Sequence, residues 1–164
     1  MTPSPSFVAT PGQTVGPFFG LALPYDGSEE LVAPDAPGAL RLRGRVLDGH
    51  GEPVPDALLE LSVAQASGRH RWGRAATDVD GRYTFTLPVP EGAFLGLTVF
   101  ARGLLNRLFT RVYLPDAADD FLDGLPTDRR STLVAGQDET GLVFDVHLQG
   151  DRETVFLTYP RHEA

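Results

Sequence analysis

The sequence predicts an all-β protein, an antiparallel β-sandwich with an irregular N-terminal arm. Three observations support this fold class. The 164 residues include 18 Gly and 14 Pro, which leaves little room for long uninterrupted helices. Hydrophobic residues make up 41% of the chain, enough for one sizeable core. Beyond residue 39, apolar and polar positions alternate in short runs, with turns every ~8 to 12 residues, as in sandwich strands.

The N-terminal segment is unusual in composition. Its first 24 residues contain no Asp, Glu, Lys or Arg and carry five prolines, so it cannot form a helix. Apolar side chains such as Phe18 and Leu21 favour burial, and we expect this arm to lie against its own domain or against a partner chain. A linker at Pro34–Gly38 follows. The predicted division is an arm and linker over 1–38 and a sandwich domain over 39–164.

Alternating or continuous apolar runs place the strands. In chain order, the predicted strands cover 40–46, 57–63, 74–77, 83–87, 95–101, 108–114, 142–148 and 154–159. Glycine-containing turns at Asp48–Pro53 and Asp78–Gly81 predict two hairpins, one joining the first two strands and one joining the next two. The acidic segment 116–130 is interrupted by Gly124 and Pro126 and is expected to form a short helix at most.

Charge and cysteine content exclude several functional classes. All 14 basic residues are Arg, and the net charge of −8 repels nucleic acid and anionic membrane surfaces. The absence of Cys excludes disulfides, thiolate zinc sites and cysteine nucleophiles, so a metal would need His, Tyr or carboxylate ligands. No apolar run has the length of a membrane span and no signal peptide is recognisable, so we expect a cytoplasmic protein.

Few residues indicate chemistry by local pattern. No two of the four histidines have the spacing of a metal-ligand pair. His70 lies in Gly68–Trp72 with two Arg and the only Trp, where the pattern fits either a functional ring or a loop packed by the Trp. His147 lies on the polar face of its predicted strand. Arg102 ends an apolar strand, where a guanidinium either binds a carboxylate bidentately or makes a modest surface ion pair.

Four segments taken together resemble one enzyme family. They are Thr10–Phe18, Arg43–Glu60, Thr77–Phe85 and Val99–Tyr113. In this order they resemble the intradiol ring-cleavage dioxygenases, and Phe100-Ala-Arg-Gly103 resembles the α subunits of two-subunit members. The resemblance implies a prealbumin-like sandwich and a reaction in which O2 opens a catechol ring between its two hydroxyl-bearing carbons. It also implies Fe(III) held by a β subunit through two Tyr and two His.

The positions of the metal ligands depart from that family pattern in this chain. The family's His-x-His falls on Phe94-Leu-Gly96, one ligand Tyr falls on His70, and the other falls near Pro88–Gly92, where there is no Tyr. Phe and Gly cannot coordinate a metal. The resemblance therefore implies an α subunit that holds no iron itself. It would shape the substrate pocket at the Fe(III) of a partner β subunit, in a hetero-oligomer that acts on a catechol carboxylic acid and O2.

The resemblance also implies which residues face the substrate. They are Thr14, Gly16, Pro17 and Arg102, with His70 as a further candidate for lining the pocket. Arg102 would then meet the anionic aromatic acid. The stretch Ser62–Gln65 differs from the family's Trp-Gln-Ala-Asp-like sequence and lacks the insertion that follows it, so the sequence leaves the exact catecholic acid open.

Two alternatives are compatible with some of the same residues. A transthyretin-like sandwich that acts only as an interaction or ligand-binding module shares the Gly- and Pro-containing turn pattern of Gly44–Ala57. It does not account for Phe100–Gly103 or for the N-terminal arm. A self-contained enzyme with a rearranged metal site at His70 and His147 is the other alternative.

Overall fold

The structure is a computed structural model that describes residues 10–14, 16 and 18–159. Its elements in chain order are β1 Leu40–Leu47, β2 Leu58–Ala64, β3 His70–Ala76, β4 Arg82–Leu87, β5 Phe94–Phe100, β6 Leu108–Tyr113, α1 Asp120–Asp123, α2 Thr127–Ser131, β7 Gly136–Asp138, β8 Gly141–Val143 and β9 Val146–His147. One sheet has the order β4-β1-β8-β7 with β9 also on β1, and the other has the order β3-β2-β5-β6. The predicted all-β sandwich is confirmed. In the described ranges, both helices are far too short to cross a membrane.

The core lies between the two sheets. In β4, Tyr83, Phe85 and Leu87 are buried and alternate with more exposed polar residues, as the period of two predicts. Leu59 and Leu97 enter the same core cluster from the other sheet. Each such side chain contributes about 1.5 to 3 kcal/mol when fully buried. The arrangement leaves the turns at the ends of the sandwich exposed to solvent or to partners.

Both predicted hairpins are wrong. β1 pairs with β4, and β2 pairs with β3, so each of the two turns carries the chain from one sheet to the other. In each turn an aspartate side chain, Asp48 or Asp78, accepts backbone N–H groups two and four residues later at 2.8 or 2.9 Å. Such turns serve a crossover as well as a hairpin. Alternation predicts which face of a strand is buried but not which strand is its neighbour.

The last predicted strands also differ from the structure. The strand expected at 142–148 divides into β8 and β9, both parallel to β1. Between them, the Asp145 carboxylate accepts a hydrogen bond from Arg45 N at 2.8 Å, where a continuous ladder would use a backbone carbonyl. The segment 154–159 forms no strand, and in the described chain its one bridge joins Leu157 to β6. Side chains thus replace ladder partners here.

Residues 25–31 pack against both sheets. Glu30 forms a bridge with β4, and Arg74 N of β3 donates a hydrogen bond to the carbonyl of Ser28 at 2.6 Å. Leu31 is 5% exposed and belongs to the main core cluster. This segment therefore anchors the N-terminal part of the chain to the sandwich.

Candidate functional site

Arg102 lies in the turn between β5 and β6. Leu104 N donates a hydrogen bond to the carbonyl of Ala101 at 3.2 Å. Gly103 has a φ of 88°, the positive value that the third position of a type II turn requires. The Arg102 side chain is 53% exposed, and its Nε lies 3.0 Å from Oδ2 of Asp56. The turn therefore holds a permanent cation at one end of the sandwich.

The N-terminal arm lies on this turn. Gly103 N donates a hydrogen bond to Thr14 Oγ1 at 2.8 Å. A Cβ built on Gly12 would lie 3.7 Å from the Cβ of Leu105, so the arm backbone passes beside that side chain in van der Waals contact. The structure thus places Thr14 against Gly103, the chain neighbour of Arg102, so two of the predicted substrate-facing residues lie at the same turn.

Beyond Thr14 the arm is largely exposed. Gly16 has a φ of 76°, a conformation that favours glycine, and Pro17 lies outside the described residues. Phe18 and Leu21 are 77% and 83% exposed. Large apolar side chains exposed in close succession are typical of a surface that a partner covers. Of the two expectations for the arm, this exposure favours contact with a partner chain.

His70 lies at the other end of the same sheet. It is the first residue of β3, in the place of the predicted loop, and Ala64 of β2 is its partner, whereas Phe100 is paired with Leu58. Along β2, Ala64 lies six residues from Leu58, which is a distance of about 20 Å. The His70 Nδ1 lies 3.2 Å from Ser62 Oγ in an exposed contact. The structure does not bring His70 to the β5–β6 turn, and its role in lining a pocket stays a prediction.

His147 lies in the other sheet, apart from His70. It is half-buried in β9 and lines a cleft of about 390 Å³. Burial lowers the pKa of this ring, and Arg152 lowers it further while Asp145 opposes both. Over residues 10–14, 16 and 18–159, no three His, Cys, Asp or Glu side chains cluster in a way that could hold a metal ion. The structure therefore gives no support to a metal site shared by the two histidines.

A cation lies where the resemblance places the metal ligands. Arg111 of β6 is the register partner of Gly96. Its guanidinium carbon is 4.2 Å from the ring centre of Phe94 and 4.8 Å from that of Phe121, which makes a cation–π sandwich. A metal ion at this place would be repelled by the guanidinium and would find no donor atom on Phe94 or Gly96. These residues do not fit iron.

Two polar partners hold this guanidinium. Arg111 Nη1 donates hydrogen bonds to Tyr113 Oη at 2.9 Å and to Asp119 Oδ2 at 3.4 Å. The Tyr113 hydroxyl in turn donates to Asp119 at 2.9 Å. Burial raises the pKa of Tyr113. Burial acts to raise the pKa of Asp119 as well, but hydrogen bonds from Leu122 N and Tyr113, with Arg111, outweigh it and the pKa is lowered. Sequence reasoning missed this cluster, whose signal is the i, i+2 spacing of Arg111 and Tyr113 on one face of β6.

Curated relatives identify the family. The protocatechuate 3,4-dioxygenase alpha chain of Burkholderia cepacia is 35% identical over 189 residues, covering 90% of this chain and 96% of that protein. The chain belongs to the protocatechuate 3,4-dioxygenase alpha-chain family. The alpha chain of Pseudomonas putida is 34% identical over 193 residues, covering 92% and 96%. Both alignments span more positions than the 164 residues of the chain, so these alpha chains contain segments without a counterpart here.

The alpha-chain family is also related to the beta chains. The beta chain of protocatechuate 3,4-dioxygenase from Burkholderia cepacia is 30% identical over 148 residues, covering 65% of this chain and 63% of that protein. No protein-family model matches the chain. Among solved structures, the dioxygenase domain of a fusion with a carbohydrate-binding protein from Streptomyces sp. SirexAA-E superposes with a TM-score of 0.58. Its identity is 25%, and the superposition covers 86% of this chain and 98% of that domain.

Proposed function

We propose that the chain is the α subunit of a hetero-oligomeric protocatechuate 3,4-dioxygenase. With an iron-binding β subunit, it would cleave protocatechuate with O2 to 3-carboxy-cis,cis-muconate. The observation that carries the proposal is the hydrogen bond between Thr14 and Gly103, which are 89 positions apart. It joins the N-terminal arm to the turn that holds Arg102. These are the two segments for which the family resemblance implies contact with substrate.

In this proposal the chain supplies binding and orientation. A guanidinium can bind the carboxylate of an aromatic acid through two parallel N–H donors, and the half-exposed Arg102 is accessible for such contact. Thr14, Gly16 and Pro17 would form the pocket wall beside it. The exposed side chains of Phe18 and Leu21 would pack against the β subunit, which removes their apolar surface from water.

We assign the Fe(III) to the β subunit. The support is the Arg111 guanidinium between the rings of Phe94 and Phe121, since a fixed positive charge repels a metal cation and the two phenyl rings offer it no donor atom. The proposed division of the chain remains an arm and linker over 1–38 and a sandwich over 39–164, with Leu31 fastening the linker to the core.

Co-expression tests the proposed function. The chain alone, the β subunit alone and the co-expressed pair are purified and compared for iron content, O2 uptake on protocatechuate and formation of 3-carboxy-cis,cis-muconate. We expect a stable complex with iron and full activity, and an isolated chain with neither. Stoichiometric iron in the isolated chain would overturn the assignment of the metal. Full activity of the β subunit alone, or failure of the two chains to associate, would overturn the proposed role as a subunit.

A further inference from the structure

Asp56 lies opposite Arg102 at one end of the β2–β5 pair. Leu58 and Phe100 are partners in antiparallel register. Asp56 precedes Leu58 by two residues and Arg102 follows Phe100 by two residues, so the same antiparallel register places them opposite each other. Their side chains meet there, with Oδ2 of Asp56 3.0 Å from Nε of Arg102. The strand register therefore builds this ion pair from residues that are far apart in the sequence.

The backbone around Asp56 is fixed by Thr77. The Thr77 hydroxyl accepts a hydrogen bond from Ala57 N at 2.9 Å and donates one to the carbonyl of Val54 at 2.7 Å. Thr77 is 7% exposed and Ala57 is fully buried. The Asp56 carboxylate is thus carried by an ordered backbone segment, which a precise positioning role requires.

Stability alone does not explain the Asp56 carboxylate. The side chain is 24% exposed, and Oδ1 is buried with no hydrogen-bond partner in the described part of the chain. A buried polar atom without a partner destabilises the fold. An ion pair with a half-exposed Arg returns little of that free energy, because solvent screens it. The arrangement is better explained by its effect on Arg102.

Arg102 keeps donors available while Asp56 holds it. A guanidinium carries five N–H donors in one plane, so contact at Nε leaves the terminal nitrogens able to bind a second carboxylate. Within residues 10–14, 16 and 18–159, no other ion pair or hydrogen bond engages this guanidinium. The Arg102 side chain is therefore fixed on one side and accessible on the other.

We infer that Asp56 is a positioning residue for recognition of the substrate carboxylate: by holding Arg102 at Nε, it fixes the guanidinium before the aromatic acid binds. The inference rests on the proposed function, in which Arg102 meets that carboxylate. A long side chain that is already ordered loses less entropy on binding, which increases affinity. The negative charge of Asp56 by itself disfavours an anionic substrate. Removal of Asp56 should therefore raise KM for the anionic substrate if Asp56 positions Arg102, and should lower KM if its charge alone matters.

The test uses the complex of the chain with its β subunit. Asp56→Ala and Asp56→Asn are compared with wild type on protocatechuate and on catechol, which lacks the carboxylate. We expect KM for protocatechuate to rise about three- to tenfold, the range that loss of order in one long side chain gives, with kcat and the catechol parameters little changed. In an Arg102→Ala background the Asp56 substitution should add nothing. Asp123→Ala, which removes the partner of Arg130 in an exposed ion pair at 2.9 Å, serves as the control.

The outcomes separate this inference from the proposed function. A lower KM for protocatechuate in the Asp56 variants would overturn the inference, because it indicates a charge effect alone. Equal losses on protocatechuate and catechol would also overturn it, because they indicate general damage. Asp56→Asn keeps the shape of the side chain and provides the comparison if Asp56→Ala does not assemble. If Arg102→Ala itself leaves the preference for protocatechuate unchanged, the proposed carboxylate contact is wrong. If Arg102→Ala loses the preference for protocatechuate while the Asp56 variants behave as wild type, the inference is overturned and the proposed function stands.

Discussion

Gly44 and Phe144 approach so closely that a Cβ on Gly44 would lie 1.7 Å from the carbonyl oxygen of Phe144. The same carbonyl accepts a hydrogen bond from the buried Tyr83 hydroxyl at 2.6 Å. This carbonyl is therefore engaged by a side chain at the point where β8 has ended and β9 has not begun. Glycine at position 44 permits the approach, and the approach divides the strand that the sequence predicts to be continuous.

Gly44→Ala is expected to destabilise the chain strongly. The added methyl group would overlap a backbone atom that cannot rotate away, so β1 and the 143–146 segment must separate, at a cost of about 3 kcal/mol or more. Chemical denaturation monitored by circular dichroism measures the change in the free energy of unfolding. Gly136→Ala is the control, because a Cβ there has its nearest contact at 3.8 Å. Equal stability of the two variants would contradict the close approach.

Arg102→Ala in the complex is expected to reduce preference for the carboxylated substrate. Loss of a charged hydrogen bond costs about 1.5 to 3 kcal/mol, so kcat/KM for protocatechuate should fall about tenfold or more while that for catechol stays nearly constant. Steady-state O2 uptake with both substrates measures this. Arg82→Ala is a matched control, since Arg82 is also a half-exposed arginine in an ion pair. An equal effect of Arg102→Ala on both substrates would argue against a carboxylate contact.

The fold was predictable where local patterns decide it. The burial of alternate residues in 83–87 follows from the period of two, and β4 has the predicted bounds within one residue. Strand pairing was not predictable, because the aspartate turns at 48–52 and 78–82 are compatible with either a hairpin or a crossover. The interruption at Phe144 depends on a tyrosine hydroxyl from β4, a contact between distant residues that no local pattern contains.

The candidate site was predictable in part. Arg102 and Thr14 were selected from the family resemblance of two separate segments, and the structure places Thr14 against Gly103, the chain neighbour of Arg102. Asp56 was missed because its pairing with Arg102 depends on the register of β2 and β5, which the sequence does not specify. The loop predicted around His70 is instead the start of β3. The prediction was wrong there because β3 is an exposed edge strand, whose polar side chains lack the apolar pattern of a core strand.

Tyr113→Phe is expected to destabilise the hydrogen-bonded cluster of Arg111, Tyr113 and Asp119. Tyr113 is fully buried, and its hydroxyl links Arg111 to Asp119. Removal of the hydroxyl leaves both charged groups short of a partner, which should lower the free energy of unfolding by about 1 to 3 kcal/mol. The pKa of Asp119 should rise, since one of the hydrogen bonds that lower it is lost. NMR titration measures this shift. Tyr25→Phe, at a 64% exposed position, is the control, and an equal loss of stability there would contradict the prediction.

His147 is expected to make the stability of the chain depend on pH below neutrality. Burial favours the neutral ring, Arg152 adds to this and Asp145 opposes it, so the pKa in the folded chain lies below the ordinary value of 6.5. The folded chain then binds fewer protons than the unfolded chain between those two pKa values. The stabilisation is present above the unfolded pKa and is lost as pH falls through the folded pKa.

Thermal unfolding of the wild type and of His147→Gln, measured from about pH 8 to pH 5, tests this dependence on the protonation of His147. We expect the fall in Tm towards acid pH to be smaller in His147→Gln, because the variant has no ring to protonate. His50→Gln is the control for the loss of one imidazole, since the His50 side chain is 91% exposed in a turn. Identical profiles for wild type and His147→Gln would show that burial of this ring does not couple folding to protonation.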